Sequence, residues 1–274
     1  MDNIALLYSS IRTDRDEVRQ RSLSLLHLLQ LTSASLPVGA YSYSEGLESL
    51  VQSGHLTDAA ALKNWLQSEL KWGSIRMEGA IALRIYQAAM QLDVQRVTYW
   101  NQWLSASRET EELREQNWQM GRALARLFVQ LEADHLAPDI YPMLGLTPPE
   151  DPRTEVPPTE VPPTEDKRKA SPAHASINYV TAFAVATAHH LIPIEDALLG
   201  YLYSWASNLV GVGVKLIPLG QTDGQTVLCQ LYATIQQTAS DVMTVSDDDL
   251  SSCTWGLAIA SMAHETLYSR LFRS

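Results

Sequence analysis

Ile194-Glu195-Asp196-Ala197-Leu198-Leu199-Gly200-Tyr201-Leu202-Tyr203-Ser204-Trp205-Ala206-Ser207-Asn208-Leu209-Val210-Gly211-Val212-Gly213-Val214-Lys215-Leu216-Ile217 is the longest apolar segment of the chain, and its period decides the fold. Leu198, Leu202, Trp205, Leu209, Val212 and Leu216 recur at helical spacing along one side, the pattern of a helix that packs one stripe against a core. The other side carries Asn208, Gly211 and Lys215. A glycine inside a helix costs about 1 kcal/mol relative to alanine, so another helix or backbone is expected to approach closely at Gly211. Pro218-Leu219-Gly220-Gln221 ends the segment, since proline cannot continue a helix. Glu195, Asp196, Asn208 and Lys215 interrupt it, so it reads as a core helix and not as a membrane span.

The same period recurs on both sides of this segment. Upstream, Leu23, Leu25, Leu26, Leu28, Leu29 and Leu31 predict a helix apolar on most sides and therefore buried. Thr57-Asp58 begins a helix with Leu62, Leu66 and Leu70 as its inner stripe, ended by Gly73. Residues 75–91 and 94–104 follow with Ile81, Ile85, Val97, Trp100 and Leu104 at helical spacing. A long helix opening near Arg108 carries Leu113, Met120, Leu124, Leu127, Phe128 and Leu131. Beyond it lie residues 177–191, then a helix marked by Val227, Leu231 and Ile235, then a final helix whose start is placed behind Asp247-Asp248-Asp249, where negative charge favours the dipole. No run alternates with period two for long enough to require a sheet. The expected fold is all-α, a single-domain bundle of roughly ten helices.

Two stretches depart from that pattern. Residues 1–21 are polar and are read as a mobile leader, with no apolar stretch of the kind a secretory signal needs. Within the helical domain of residues 22–274, the tract 147–174 holds Glu155-Val156-Pro157-Pro158-Thr159 followed by Glu160-Val161-Pro162-Pro163-Thr164. Such a repeat cannot bury enough surface to offset its ordering entropy, and a disordered loop insertion is expected there.

Composition narrows the function classes. A net charge of -11 opposes binding to phosphate backbones and leaves no case for nucleic acid; it favours a basic partner. Two cysteines, Cys229 and Cys253, are too few for a disulfide framework or a structural zinc site and are expected as buried thiols in a cytoplasmic chain. There is no Gly-rich phosphate loop, no dinucleotide fingerprint and no Gly-x-Ser-x-Gly elbow, so neither a cofactor nor catalysis is expected. His189-His190 point about 100° apart on a helix, poor geometry for sharing one metal, and His264-Glu265 meet the same objection. The seven tryptophans are expected to fill core and grooves.

Three local motifs stand out. Leu36-Pro37-Val38-Gly39-Ala40-Tyr41-Ser42-Tyr43-Ser44-Glu45-Gly46 reads as a capping box, Ser42-x-x-Glu45, and equally as a contact site where two phenols meet a helix start. In Arg108-Glu109-Thr110-Glu111-Glu112-Leu113-Arg114, Arg108 with Glu112 and Glu111 with Arg114 read as stabilising pairs on a solvated face. The third is the chain end, His264-Glu265-Thr266-Leu267-Tyr268-Ser269-Arg270-Leu271-Phe272-Arg273-Ser274. Chain ends are ordinarily poor in such residues; this one reads either as a turn folded back on its own core or as a docking tail for another protein, residues 265–274.

Four separated blocks resemble the UreF family of urease accessory proteins: Leu36 to Ser44 with Gly46-Leu47-Glu48, Arg108 to Arg114 with Gly121, Leu216 to Gln221 with Gly224-Gln225, and the chain end from His264. The resemblance covers nearly the whole chain outside the leader and the proline repeat. It implies an all-helical, non-enzymatic, dimeric scaffold that binds the accessory protein UreD, also called UreH, recruits the nickel-carrying GTPase UreG and serves nickel insertion into the urease apoprotein. It implies further that the tail orders on UreD and that the Tyr43 entry helps recruit UreG. On that resemblance the partner-binding residues are expected among Tyr41, Tyr43, Ser44 and Glu48; Arg108, Glu112 and Arg114; Lys215 and Gln221; and His264, Glu265, Tyr268, Arg270, Leu271, Phe272 and Arg273. Regulation of GTP hydrolysis on UreG, with Arg108 or Arg114 as the available arginines, and direct nickel binding are the alternatives.

Overall fold

The computed structural model describes residues 18–148, 176–253 and 255–274. The leader expected for 1–21 and the Pro-rich loop expected for 147–174 therefore lie outside the described residues, except for residues 18–21, which are helical, and residues 147–148. The chain forms α1 (residues 18–31), a short 3-10 turn at Ala40–Ser42, α2 (Leu47–Gln52), α3 (Ala59–Trp72), α4 (Ser74–Met90), α5 (Val94–Ser107) and α6 (Glu111–Glu132). A single turn α7 (Ile140–Met143) precedes α8 (Tyr179–His189), α9 (Ile194–Leu216), α10 (Gln221–Val242) and α11 (Trp255–Glu265). Among the described residues there is no strand, as the sequence predicts.

Local chemistry sets the helix ends. Asp58, Asp93 and Thr110 accept from Ala61, Arg96 and Leu113 N–H groups at the starts of α3, α5 and α6, which satisfies donors that a first turn leaves free. The centre of the bundle is α8, buried continuously from Val180 to Ala188 and packed between α4 and α6. Gly121 makes the α6 crossing possible: a Cβ there would stand 2.1 Å from the carbonyl oxygen of Ile177 and 2.6 Å from the carbonyl carbon of Asn178. Asn178 ties the start of α8 to α5, its N–H donating to Asn101 Oδ1 at 2.9 Å and its Nδ2 to the Asn101 carbonyl at 2.8 Å. Among the described residues α9 is long and apolar enough to cross a membrane, yet it packs on α10, α4, α2, α3 and α8 inside the bundle.

Several expectations are corrected. α1 is not buried all round: Leu28 and Leu31 face the core, while Leu23, Leu25, Leu26 and Leu29 are exposed, because only one side of this outer helix meets α9, where Gly200 makes room for Leu28. Gly211 has open space and no close neighbour; Gly213, facing Leu62, is the tight position instead. Trp100 fills the core, but Trp72 and Trp255 are exposed. Both cysteines are exposed free thiols. Asp247–Asp249 form their own turn, and Asp247 pairs with Arg84 at 2.6 Å instead of sitting on the first turn of α11.

Candidate functional site

The chain end lies in a cleft floored by α2 and α6. At its base is His264, in the last turn of α11 and fully buried. Its Nδ1 stands 3.1 Å from Glu112 of α6 and its Nε2 3.3 Å from Glu48 of α2, so carboxylates face both ring nitrogens. Glu48 is buried too. Its Oε1 accepts the Leu271 N–H at 2.7 Å and its Oε2 the Phe272 N–H at 3.0 Å. Two consecutive backbone amides on one buried carboxylate are charge-assisted bonds, roughly twice as strong as neutral ones. Glu112 also accepts from Arg270 Nη1 at 3.1 Å, while Arg270 Nη2 donates to the Glu265 carbonyl.

The last residues run along the Pro37–Gly46 segment. The Arg273 N–H donates to the Ser42 carbonyl at 2.8 Å, and the Ser44 N–H to the Ser274 carbonyl at 2.6 Å. The Ser44 hydroxyl donates to that same carbonyl, and the Ser274 hydroxyl to Gln116 Oε1. Phe272 is buried, with the Lys215 ammonium 5.6 Å from its ring centroid, a cation over an aromatic face. Tyr43 is buried and donates to Gln119 Oε1 at 2.8 Å; burial pushes its phenol above the usual value, and the Arg273 guanidinium beside it pulls the other way. Gly46, at φ +78, permits the approach of α11, since a Cβ there would stand 2.9 Å from Ala260 Cβ.

The structure thus brings together Tyr43, Ser44, Glu48, Glu112, Lys215, His264, Arg270, Leu271, Phe272 and Arg273, with Glu265 contributing its carbonyl. It does not bring Arg108, Arg114, Tyr41 or Gln221 into that set. Arg108 is buried and paired with Glu78 Oε1, and Tyr201 donates to the other Glu78 oxygen. Arg114 lies over the Trp118 ring at 5.7 Å. The expected Arg108–Glu112 and Glu111–Arg114 pairs are replaced by these contacts, because Arg108 is extended backbone ahead of α6 and Glu112 turns to His264. Gln221 is exposed at the first position of α10, and Tyr41 is exposed at the edge of a cavity of about 420 Å³ that Glu45, Gln116, Trp205 and Lys215 also line.

The capping box is not formed. Ser42 Oγ donates to the Gly39 carbonyl, and Glu45, at φ 49, turns inward to accept from Trp205 Nε1 at 2.9 Å and Gln116 Nε2 at 3.2 Å. Burial, then the charge of Glu78, raise its carboxyl to about 7. Gln116 and Gln119 were missed by sequence reading. The signal is the spacing Glu112, Gln116, Gln119, a polar stripe along one face of α6 that meets the tail at its first two positions and Tyr43 at the third.

Elsewhere, His27, Glu132 and His190 hold ligand atoms within 4.8 Å of one another, the arrangement among the described residues that could hold a metal ion. Burial, then His27 and His189, lower His190 to about 4.

The UreF family model matches residues 56–232. Curated relatives called urease accessory protein UreF include one from Nostoc sp. (strain PCC 7120), 48% identical over 91% of this chain and 95% of its own length. Another, from Microcystis aeruginosa, is 47% identical over 91% and 97%, and one from Alkalilimnicola ehrlichii is 37% identical over 92% and 96%. With the helical bundle, the four sequence blocks and likeness over about nine-tenths of the chain in agreement, the chain belongs to the UreF family of urease accessory proteins.

Proposed function

We propose that the chain is a non-catalytic scaffold in urease maturation, acting in the cytoplasm as a homodimer that binds UreD/UreH, recruits the GTPase UreG and serves nickel delivery into the urease apoprotein. Family membership supports the maturation role. The observation that carries the docking reading is the division of labour in the tail. Its backbone and Phe272 are seated on the chain's own cleft, while Tyr268 and Leu271 are exposed, as are Trp255, Ile259 and Met262 on α11. Those three recur at i, i+4 and i+7, one apolar stripe. A tail already held in place costs less ordering entropy on binding than a free one.

The arginine-finger version of UreG regulation finds no support at Arg108, which is enclosed by Glu78. Single-turnover GTP hydrolysis by UreG with and without the protein distinguishes regulation from scaffolding. The main test is deletion of Tyr268 to Ser274, followed by pull-down with UreD/UreH and UreG and by urease activation. Loss of capture and activation is expected, with helical circular dichroism almost unchanged. Normal activation by the truncated protein rejects the reading.

A further inference from the structure

We propose that His27, Glu132 and His190 form a binding site for a late first-row divalent ion of the Zn²⁺ or Ni²⁺ type, which fastens α1 to the bundle. The three donors come from separate elements: the outer helix α1, the last residue of α6 and the residue directly after α8. Two imidazoles and one carboxylate are a borderline donor set suited to late transition ions and poor for Mg²⁺ or Ca²⁺, which take oxygen ligands. All three side chains are half-buried, so solvent can supply the remaining ligand.

The geometry is open by a small margin. A tetrahedral ion holds such donors about 3.4 Å apart, against separations of up to 4.8 Å here. The His27 and His190 rings are stacked, centroids 3.6 Å apart and planes 7° from parallel. A ring nitrogen's lone pair lies in the ring plane, so two stacked rings cannot both aim at one ion, and loading requires one imidazole to turn out of the stack. Glu132 Oε1 stands 3.9 Å from His190 Nε2, and Oε2 3.8 Å from His189 Nε2. Both are longer than a hydrogen bond. Phe128 closes one side, its ring 5.4 Å from His189 and 5.6 Å from His190. His189 is placed to hold the second Glu132 oxygen, the outer-shell role that orients a metal-bound carboxylate.

Fastening matters because α1 is lightly held. Its inward contacts are Leu28 and Leu31, the His27 ring stacked on His190, and the Ser24 hydroxyl 3.3 Å from the carbonyls of His190 and Leu191. An ion bridging His27 to the ends of α6 and α8 replaces the ring stack with coordinate bonds to both helices, next to that hydroxyl.

The proposal does not rest on the maturation role, and its test uses the isolated full chain. In calorimetric titration with Zn²⁺ and with Ni²⁺ separately, one ion binds per chain, and Mg²⁺ does not. Affinity falls by at least about tenfold in His27→Ala, Glu132→Gln and His190→Gln and is unchanged in His55→Ala, with circular dichroism separating lost binding from lost fold. Zn²⁺ also raises hydrogen-exchange protection over residues 18–31 of the unsubstituted protein and shifts the imidazole resonances of His27 and His190. Wild-type affinity in all three variants, resonance shifts confined to His55 or the exposed His135, or no ion retained on dialysis overturns it.

Discussion

Glu45 shows how far a single residue can depart from its local motif. Its Ser-x-x-Glu spacing was legible and suggested a cap, but a left-handed backbone at Glu45 and Gly46 turns the carboxylate into the interior, under Trp205 and Gln116. No local pattern encodes that, since the partners lie on α6 and α9. The raised carboxyl has a sign that can be worked out. A carboxyl near 4.5 in the open chain and about 7 when folded makes the folded state hold the extra proton. Its contribution is full below about 4.5, falls as pH rises and is gone above about 7. Glu69, raised to about 7 by burial and then by Glu45 itself, acts in the same direction. Urea denaturation between about pH 5 and pH 8 is therefore expected to lose less stability in Glu45→Gln than in the parent; equal pH slopes would contradict this. His264 is the converse case. The sequence places it at the head of the chain-end motif, and only the fold reveals carboxylates on both sides of it.

Helices as elements were the most legible part of the chain. Leu62, Leu66 and Leu70 are all fully buried on α3, as their spacing requires. What periodicity does not encode is which helix lies outside. The leucines of α1 suggested a core element, yet Leu25, Leu26 and Leu29 are exposed, because apolar content measures what could be buried and neighbours decide what is. Glycine was misjudged in the same way. Gly211 looked like a crossing point and is open, whereas Gly121 is the crossing. Gly121→Ala is expected to destabilise by about 1–3 kcal/mol, as other overpacked sites do, since backbone at Ile177 and Asn178 must move. Gly211→Ala, with nothing nearby, is expected to stabilise by up to about 1 kcal/mol through helix propensity. Chemical denaturation of the two variants checks the pair, and a destabilised Gly211→Ala would show that its surroundings are not open.

At the scale of the whole molecule, the four blocks converge on one end of the bundle only in part. The entry, α6 and the tail meet, while Gln221 stays apart on α10 and Arg108 is enclosed. The exposed stripe of α11 was not read from sequence, because Trp255, Ile259 and Met262 look the same whether a helix covers them or not. Ile259→Asp is expected to leave the melting curve nearly unchanged, within about 0.5 kcal/mol for a surface site. Capture of UreD/UreH is expected to weaken by about 1–2 kcal/mol, roughly five- to thirtyfold. The same change at exposed Leu131 on α6 is the control, and equal losses at both positions would show no special role for the stripe.

Glu48 adds a mechanical property to that end of the molecule. The donors to its carboxylate from Leu271 and Phe272 are neighbours in sequence, and the imidazole that shares it belongs to the helix the tail extends. Lifting the tail at this point strips both amides from one buried carboxylate together. Leu271 and Phe272 are therefore latched as a pair at a single point on α2, with Tyr268 left exposed at the near end of the latch.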